Sequence, residues 1–383
     1  MVLRLKPILS RRSSLSFYLK CTILILIIYY LNLLFGLTYY IWSEKSFEED
    51  YNAQMIHIDP VKTEDDPEAI LGPPKNTLST QFLISNEYLC ARSLDPETQL
   101  YPHILILVKS SSDNFRERQA IRSTWGDRNR LKTKGDFRLA FVLGTDVHNR
   151  SVEDEANKYG DIIQIDKNDY YYYSSYKMIM MLRWITSYCA SQSHRTSYLD
   201  LRNYVLFVDD DYYVDTDALL SYVNRLNRDP DITTYERRTF ITGEVIEQSR
   251  PHRSASDRYF VSLNDYPYDR YPAYVSSGCF LMTRYNARLF YIASKYVRLF
   301  SFDHIYMALI AYSMSINPIP NNDLFLTSVS LSISDKILSA KWRNIFKKKD
   351  DLHTRKPPIC MHGYSAEKLI DVWEFIQRMN ITA

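Results

Sequence analysis

Three consecutive carboxylates, Asp209-Asp210-Asp211, close an unbroken run of apolar and aromatic residues, Tyr204-Val205-Leu206-Phe207-Val208. Such a run reads as a buried central strand that delivers acids to its carboxyl edge, where open α/β sheets bind their ligands. Adjacent carboxylates repel one another and persist most easily where a hard cation neutralises them, as Mg²⁺ or Mn²⁺ does with oxygen ligands. The competing reading is a solvated acidic turn. Arg118 and Arg122 form a second candidate pair. Four residues apart, they share one helix face and could present two guanidinium groups to a diphosphate; the alternative is a surface helix with spare charges.

The elements that would position these groups alternate along the chain. His103 to Val108 reads as a buried strand, Phe115 to Trp125 as a helix, and Phe137 to Leu143 as a second strand. Glu153 to Tyr159 reads as a short helix, Ile162 to Ile165 as a strand, and Ser174 to Tyr188 as a longer helix with apolar residues at helical spacing. After the acid-tipped strand come a helix near Ala218 to Leu226, a strand near Phe240, an apolar stretch at Gly278 to Met282, and helices at Ala287 to Tyr296 and Asp303 to Ser313. This alternation predicts a three-layer α/β domain with a mostly parallel sheet.

The chain has 383 residues, with 47 basic against 45 acidic side chains, a balance that gives no electrostatic case for a nucleic-acid partner. Cys21 to Trp42 is an almost entirely apolar run, long enough to cross a bilayer as a helix of ~20 residues. Arg4, Lys6, Arg11, Arg12 and Lys20 precede it, whereas Glu44, Glu48, Glu49 and Asp50 follow it with a single Lys45. The positive-inside rule then predicts a single-pass type II protein: a cytosolic tail at 1–20, a signal anchor at 21–42, an acidic and proline-punctuated stem at 43–99, and a lumenal domain at 100–383. In that oxidising compartment Cys90, Cys189, Cys279 and Cys360 are expected to form disulfides, with three pairings open. Asn149-Arg150-Ser151 and Asn380-Ile381-Thr382 are glycosylation acceptors by motif.

The run Glu117-Arg118-Gln119-Ala120-Ile121-Arg122-Ser123-Thr124-Trp125-Gly126 resembles the first signature of the β-1,3-galactosyltransferase and β-1,3-N-acetylglucosaminyltransferase family of Golgi hexosyltransferases, glycosyltransferase family 31. The resemblance continues in order through Phe141-Val142-Leu143-Gly144, then from Tyr159-Gly160-Asp161 past Asp169, Lys177, Trp184 and Cys189 to the aspartate triplet. Gly243, Pro251, Arg253, Tyr259 and Tyr271 to Gly278 are similar to the family's acceptor-side segment. Asp303-His304 stands where the family has paired acids, and Cys360 with His362 is similar to its carboxyl-terminal histidine segment. The match covers about residues 100 to 375.

What the resemblance implies is a GT-A type, Rossmann-like domain that moves a sugar, galactose foremost, from a UDP donor to a glycan acceptor in β-1,3 linkage with inversion. Mn²⁺ is the ion implied, Mg²⁺ its substitute, with Asp211 and His362 as ligands. Asp209 and Asp210, with Arg118, Arg122, Asp169 and Lys177, fall to the donor side. The acceptor hydroxyl must lose a proton as it attacks, and this needs a general base.

Here the chain departs from its relatives. The family carries two acids where this sequence has Asp303-His304, and the second position is the one expected to hold the base. Three readings follow: His304 is the base, which an unperturbed pKa of ~6.5 suits; Asp303 takes over; or the site is impaired and only binds a nucleotide sugar. Phe207 replaces a lysine common two positions before the acids, and Ala308 a common glycine. A metal-dependent phosphohydrolase using Asp209 as nucleophile is the remaining alternative for a strand ending in Asp-x-Asp.

Overall fold

A computed structural model describes residues 11–35, 43–51, 55–60, 62, 66–77, 79–90, 104–145, 149–170, 173–189, 201–322, 324–326 and 358–381. By its internal contacts the chain divides into two compact units, 1–54 with 249–271 and 55–248 with 272–383.

In the larger unit the apolar runs become one sheet of eight strands. These are β1 (Phe82–Ile84), β2 (Ile104–Lys109), β3 (Phe137–Thr145), β4 (Ile162–Asn168), β5 (Tyr204–Asp209), β7 (Ile241–Ile246), β8 (Tyr274–Thr283) and β9 (Ile319–Pro320), in the spatial order β1-β4-β3-β2-β5-β8-β7-β9. Strand β6 (Tyr212–Val214) joins β10 (Phe325–Leu326) and β11 (Cys360–His362) in a second, three-stranded sheet. The expected mostly parallel sheet is corrected to a mixed one. Strands β4, β3, β2 and β5 run parallel, but β8 lies antiparallel between β5 and β7, and β1 is antiparallel to β4. An apolar run marks a strand buried on both faces and carries no information about its direction.

Helices cover both faces, which is why Ile104 to Val108 and Val205 to Val208 are buried without alternation. On one face, Ile104, Ile106, Val108, Leu206 and Val208 pack in a single cluster with Ala120 and Ile121 of helix Phe115–Ser123 and with Leu369, Val372 and Ile376 of helix Ala366–Ile381. On the other, helices Ser174–Trp184, Arg284–Ser294 and Asp303–Ser313 contact one another and the sheet. The last of these has the limits that its sequence predicts. Helix Thr216–Arg228 follows β6 at once because Asp215 caps it, accepting the N–H groups of Asp217 and Ala218 at 3.0 and 2.9 Å; such a cap stabilises by ~1 kcal/mol. The chain after the aspartate triplet is thereby pinned on both sides.

The stretch 43–99, expected as a stem, is partly built into the folded units. Phe82–Ile84 adds a strand to the sheet edge, Asn76 donates to the carbonyls of Ser294 and Val297, and Cys90 is bonded to Cys189. The second disulfide is Cys279–Cys360, so the structure selects one of the three pairings. In the smaller unit, Phe47, Tyr51, Tyr266 and Tyr268 form an aromatic cluster, and Arg253 is held by Glu44 and by the carbonyls of Val261 and Tyr268. A helix also runs Arg11–Phe35, and its apolar side chains from Phe17 to Leu31 are exposed. Among the described residues no helix is long and apolar enough to cross a membrane; residues 36–42 of the expected span lie outside them.

Candidate active site

The three aspartates at the end of β5 have three different fates, because the strand ends after Asp209 and the chain turns before β6. Asp209 is in register with Lys109, the last residue of β2, and its Oδ1 lies 2.8 Å from the Lys109 Nζ. The same ammonium lies 3.2 Å from Oδ2 of Asp303 and donates to the Ser277 carbonyl at 2.8 Å. Burial alone would lower the Lys109 pKa; the carboxylates of Asp209 and Asp303 outweigh it and hold the lysine above its usual range, fully charged. One ammonium thus faces two carboxylates, a buried one on Asp303 and a part-exposed one on Asp209. Burial, with Asp303 and Asp211 adding to it, pushes Asp209 up to about 6 against the pull of Lys109. Asp303 also faces desolvation, but Lys109 and the His304 contacts overcome it and keep its carboxyl below the usual range.

Asp210 turns inward. Its Oδ2 accepts from Ser110 Oγ at 2.6 Å and from Asn114 Nδ2 at 2.9 Å, tying the end of β5 to the loop after β2. Most of the residues assigned to the donor side grip that same loop. Lys177 pairs with Asp169 and donates to the Ser110 carbonyl at 2.7 Å, while Asp169 accepts the N–H groups of Gly144 at 2.8 Å and Ser112 at 3.4 Å. Arg118 is fully buried, with Nε and Nη2 on the two oxygens of Glu155 at 2.8 and 2.7 Å, Nη1 on Ser110 Oγ at 3.0 Å, and further bonds to the carbonyls of Ser111 and Ser112.

Arg122 is held bidentately by Asp161 at 2.8 and 2.7 Å, reaches Glu155 at 2.7 Å and stacks over Tyr159. Two arginines sharing a helix face do stand together, but both face acids from helix Asn149–Tyr159 and the turn after it. Each guanidinium is thus paired within the protein, Arg118 with the buried Glu155 and Arg122 with Glu155 and the part-exposed Asp161.

Asp211 alone of the triplet turns toward the second sheet. Strand β11 pairs antiparallel with β6, placing His362 opposite Tyr212, and His362 Nε2 lies 3.0 Å from Asp211 Oδ2. The Asp211 carbonyl accepts from the N–H groups of Gly363 and Tyr364, and the Cys279–Cys360 disulfide ties β11 back to β8. Tyr212 crosses close over the backbone of Gly278, where any Cβ would overlap its hydroxyl. Hydrogen bonding to Asp211 holds the His362 imidazole above its usual pKa against the opposing effect of burial, and the charges of Asp209 and Glu244 act in the same upward sense.

Both side chains are open, Asp211 by 46% and His362 by 38%, so carboxylate oxygen and imidazole nitrogen converge where water or a diphosphate can reach them. Such a donor pair suits Mn²⁺. Among the described residues no third His, Cys, Asp or Glu completes an ion-holding cluster, so an ion here would draw its remaining ligands from solvent or substrate.

His304 is the second residue of the helix Asp303–Ser313 and stands near the rings of Tyr274, 5.2 Å away, and Phe302, 6.0 Å away and nearly parallel. Its Nδ1 is 3.3 Å from Asp303 Oδ1, which also accepts the His304 backbone N–H at 2.9 Å. The His304 side chain is 22% exposed and that of Asp303 only 7%, so solvent reaches the histidine more readily than the aspartate. Lys109, Ser110 and Asn114 are site residues that sequence reasoning missed. A lysine ending an apolar strand parallel to the acid-tipped one was the available signal for the first; nothing local marked the other two. Asn149 opens one helix and Asn380 lies near the end of another. Arg253 and Tyr259 belong to the smaller unit.

Comparison with known proteins meets this geometry from the sequence side. The chain is 33% identical over 215 residues to beta-1,3-galactosyltransferase brn of Drosophila melanogaster, covering 56% of this chain and 61% of the relative. It is 29% identical over 254 residues to human beta-1,3-galactosyltransferase 1, covering 65% and 70%. It is 27% identical over 250 residues to lactosylceramide 1,3-N-acetyl-beta-D-glucosaminyltransferase A of Xenopus laevis, covering 63% and 60%. The family model described as galactosyltransferase matches residues 116–322, more than half of the chain and six of the eight strands of the larger sheet, and the chain belongs to that family of glycosyltransferase enzymes.

Proposed function

We propose that this chain transfers a hexose, galactose foremost, from a UDP-sugar to a hydroxyl of a glycan acceptor in β-1,3 linkage, with inversion, on a GT-A type domain. The observation that carries the reading is the pairing of Asp211 with His362 at the carboxyl end of β5, beside a strand-end lysine that also reaches the Asp303–His304 pair. Mn²⁺ held by Asp211 and His362, or Mg²⁺ in its place, would supply Lewis-acid stabilisation of the departing diphosphate. The protein's own part is to hold donor and acceptor in line and to remove one proton. His304, with Nδ1 turned to Asp303, offers Nε2 to the acceptor hydroxyl. The proton passes to Nε2 as the hydroxyl oxygen bonds to the anomeric carbon and the bond to the UDP oxygen breaks on the opposite face.

The reading extends to a type II Golgi protein anchored through Cys21–Trp42 and glycosylated at Asn149 and Asn380. It is supported by the exposed apolar side chains of helix Arg11–Phe35 and by the basic residues before them. The test is UDP release by the detergent-solubilised full chain, with Mn²⁺, a panel of UDP-sugars and β-linked galactose, N-acetylgalactosamine and N-acetylglucosamine acceptors. Release above the no-enzyme rate, abolished by Asp211→Ala, is the expected result. No release from any donor, together with UDP binding that ignores chelation of the metal, would sink the proposal.

A further inference from the structure

We infer that Lys109 is a positioning residue for the base: by holding Asp303 as an acceptor-only carboxylate it fixes His304 in the tautomer whose Nε2 keeps its lone pair. The inference rests on the reading of His304 as the base, and its geometry is independent of the metal pair. A lysine ammonium has three donors, and here all three are used, on Asp209 of β5, Asp303 at the start of its helix and the Ser277 carbonyl of β8. Three separate elements therefore meet on one nitrogen, whose side chain is 11% exposed.

Asp303 divides its oxygens between two tasks. Oδ2 faces Lys109, while Oδ1 receives the His304 backbone N–H and lies 3.3 Å from His304 Nδ1. An ionised carboxylate can only accept, so the ring nitrogen facing it must carry the hydrogen, and the other nitrogen keeps its lone pair. Were Asp303 protonated, it could instead donate to Nδ1 and send the ring hydrogen to Nε2, the wrong arrangement for taking a proton. A buried carboxylate with no cation beside it favours that neutral form. No other Lys or Arg is paired with Asp303 among the described residues, and β5 offers no substitute, since position 207 is a phenylalanine stacked on Phe280 at 4.7 Å. Tyr274 and Phe302 flank the ring without supplying a charge.

The experiment is ring-¹⁵N NMR of histidine-labelled full chain at a pH where the imidazole is neutral, with the His304 signals assigned by their loss in His304→Gln. In the unmodified protein the lone-pair nitrogen of His304 should be Nε2. In Lys109→Met the tautomer should invert or become mixed. Lys109→Gln, which keeps a hydrogen-bond donor but no charge, repeats the test should the methionine variant fail to fold. Given turnover of UDP-galactose, either variant should lower kcat by about 10²-fold or more. An unchanged Nε2 lone-pair signal in the folded variants overturns the inference. Absence of turnover in the unmodified protein would instead remove the transferase reading, and the tautomer measurement would still decide the role of Lys109.

Discussion

His362 Nε2 and Asp211 Oδ2 lie 3.0 Å apart although 151 residues separate them in the chain. The pairing of β6 with β11 creates this contact. If the two hold the ion, Asp211→Ala or His362→Ala should weaken Mn²⁺ binding, read by calorimetry, by no less than the ~10–100-fold that loss of an outer partner costs. Dialysis against chelator should stop UDP release, and Mn²⁺ should restore it.

Cys360 is two residues from His362 and bonded to Cys279 in the sheet next to β5. The bond closes a separation of 81 residues, and removing such a cross-link costs ~2–4 kcal/mol. Cys360→Ser should lower the melting temperature and weaken Mn²⁺ affinity together. A variant that melts early yet binds the ion as before would show that β11 is held by its strand pairing alone.

His304, more exposed than the aspartate it faces, is the group to remove for chemistry without binding. His304→Gln should reduce kcat by ~10²–10⁴-fold, the usual worth of a general base, with the donor KM nearly constant. If the loss falls on KM instead, His304 is a substrate-binding side chain and the base lies elsewhere.

Glu155 accepts from Arg118 on both oxygens and also from Arg122. Desolvation would raise its pKa, but the two arginines prevail and hold it below the usual value. A carboxyl with a depressed folded-state pKa contributes stability at pH values above its unfolded pKa and loses it as pH falls through the folded one. Glu155→Gln should therefore be destabilised at pH 7 by ~3–5 kcal/mol, since it leaves the buried Arg118 guanidinium without its counter-charge. The gap to the unmodified protein should close on acidification below about pH 4. A gap constant from pH 7 to pH 3 in denaturant titrations would refute this account.

Local pattern sufficed for much of the architecture. The apolar run of β5, the acids at its end and the helix Asp303–Ser313 follow from periodicity and from the cost of leaving large side chains in water, which act within a few residues of sequence. The order of the signatures placed Asp211 and His362 in one site. Which way each acid turns was decided only in three dimensions. Asp209, Asp210 and Asp211 are adjacent in sequence yet answer to Lys109, Ser110 with Asn114, and His362, three partners from different parts of the chain. Arg118 and Arg122 are legible as a pair, but the acids that pair with them arrive from a helix and the turn after it, some forty residues on. A charge in a desolvated interior goes to whichever counter-charge the tertiary fold brings within reach; sequence spacing fixes the residues available, and only the packed chain fixes the pairs.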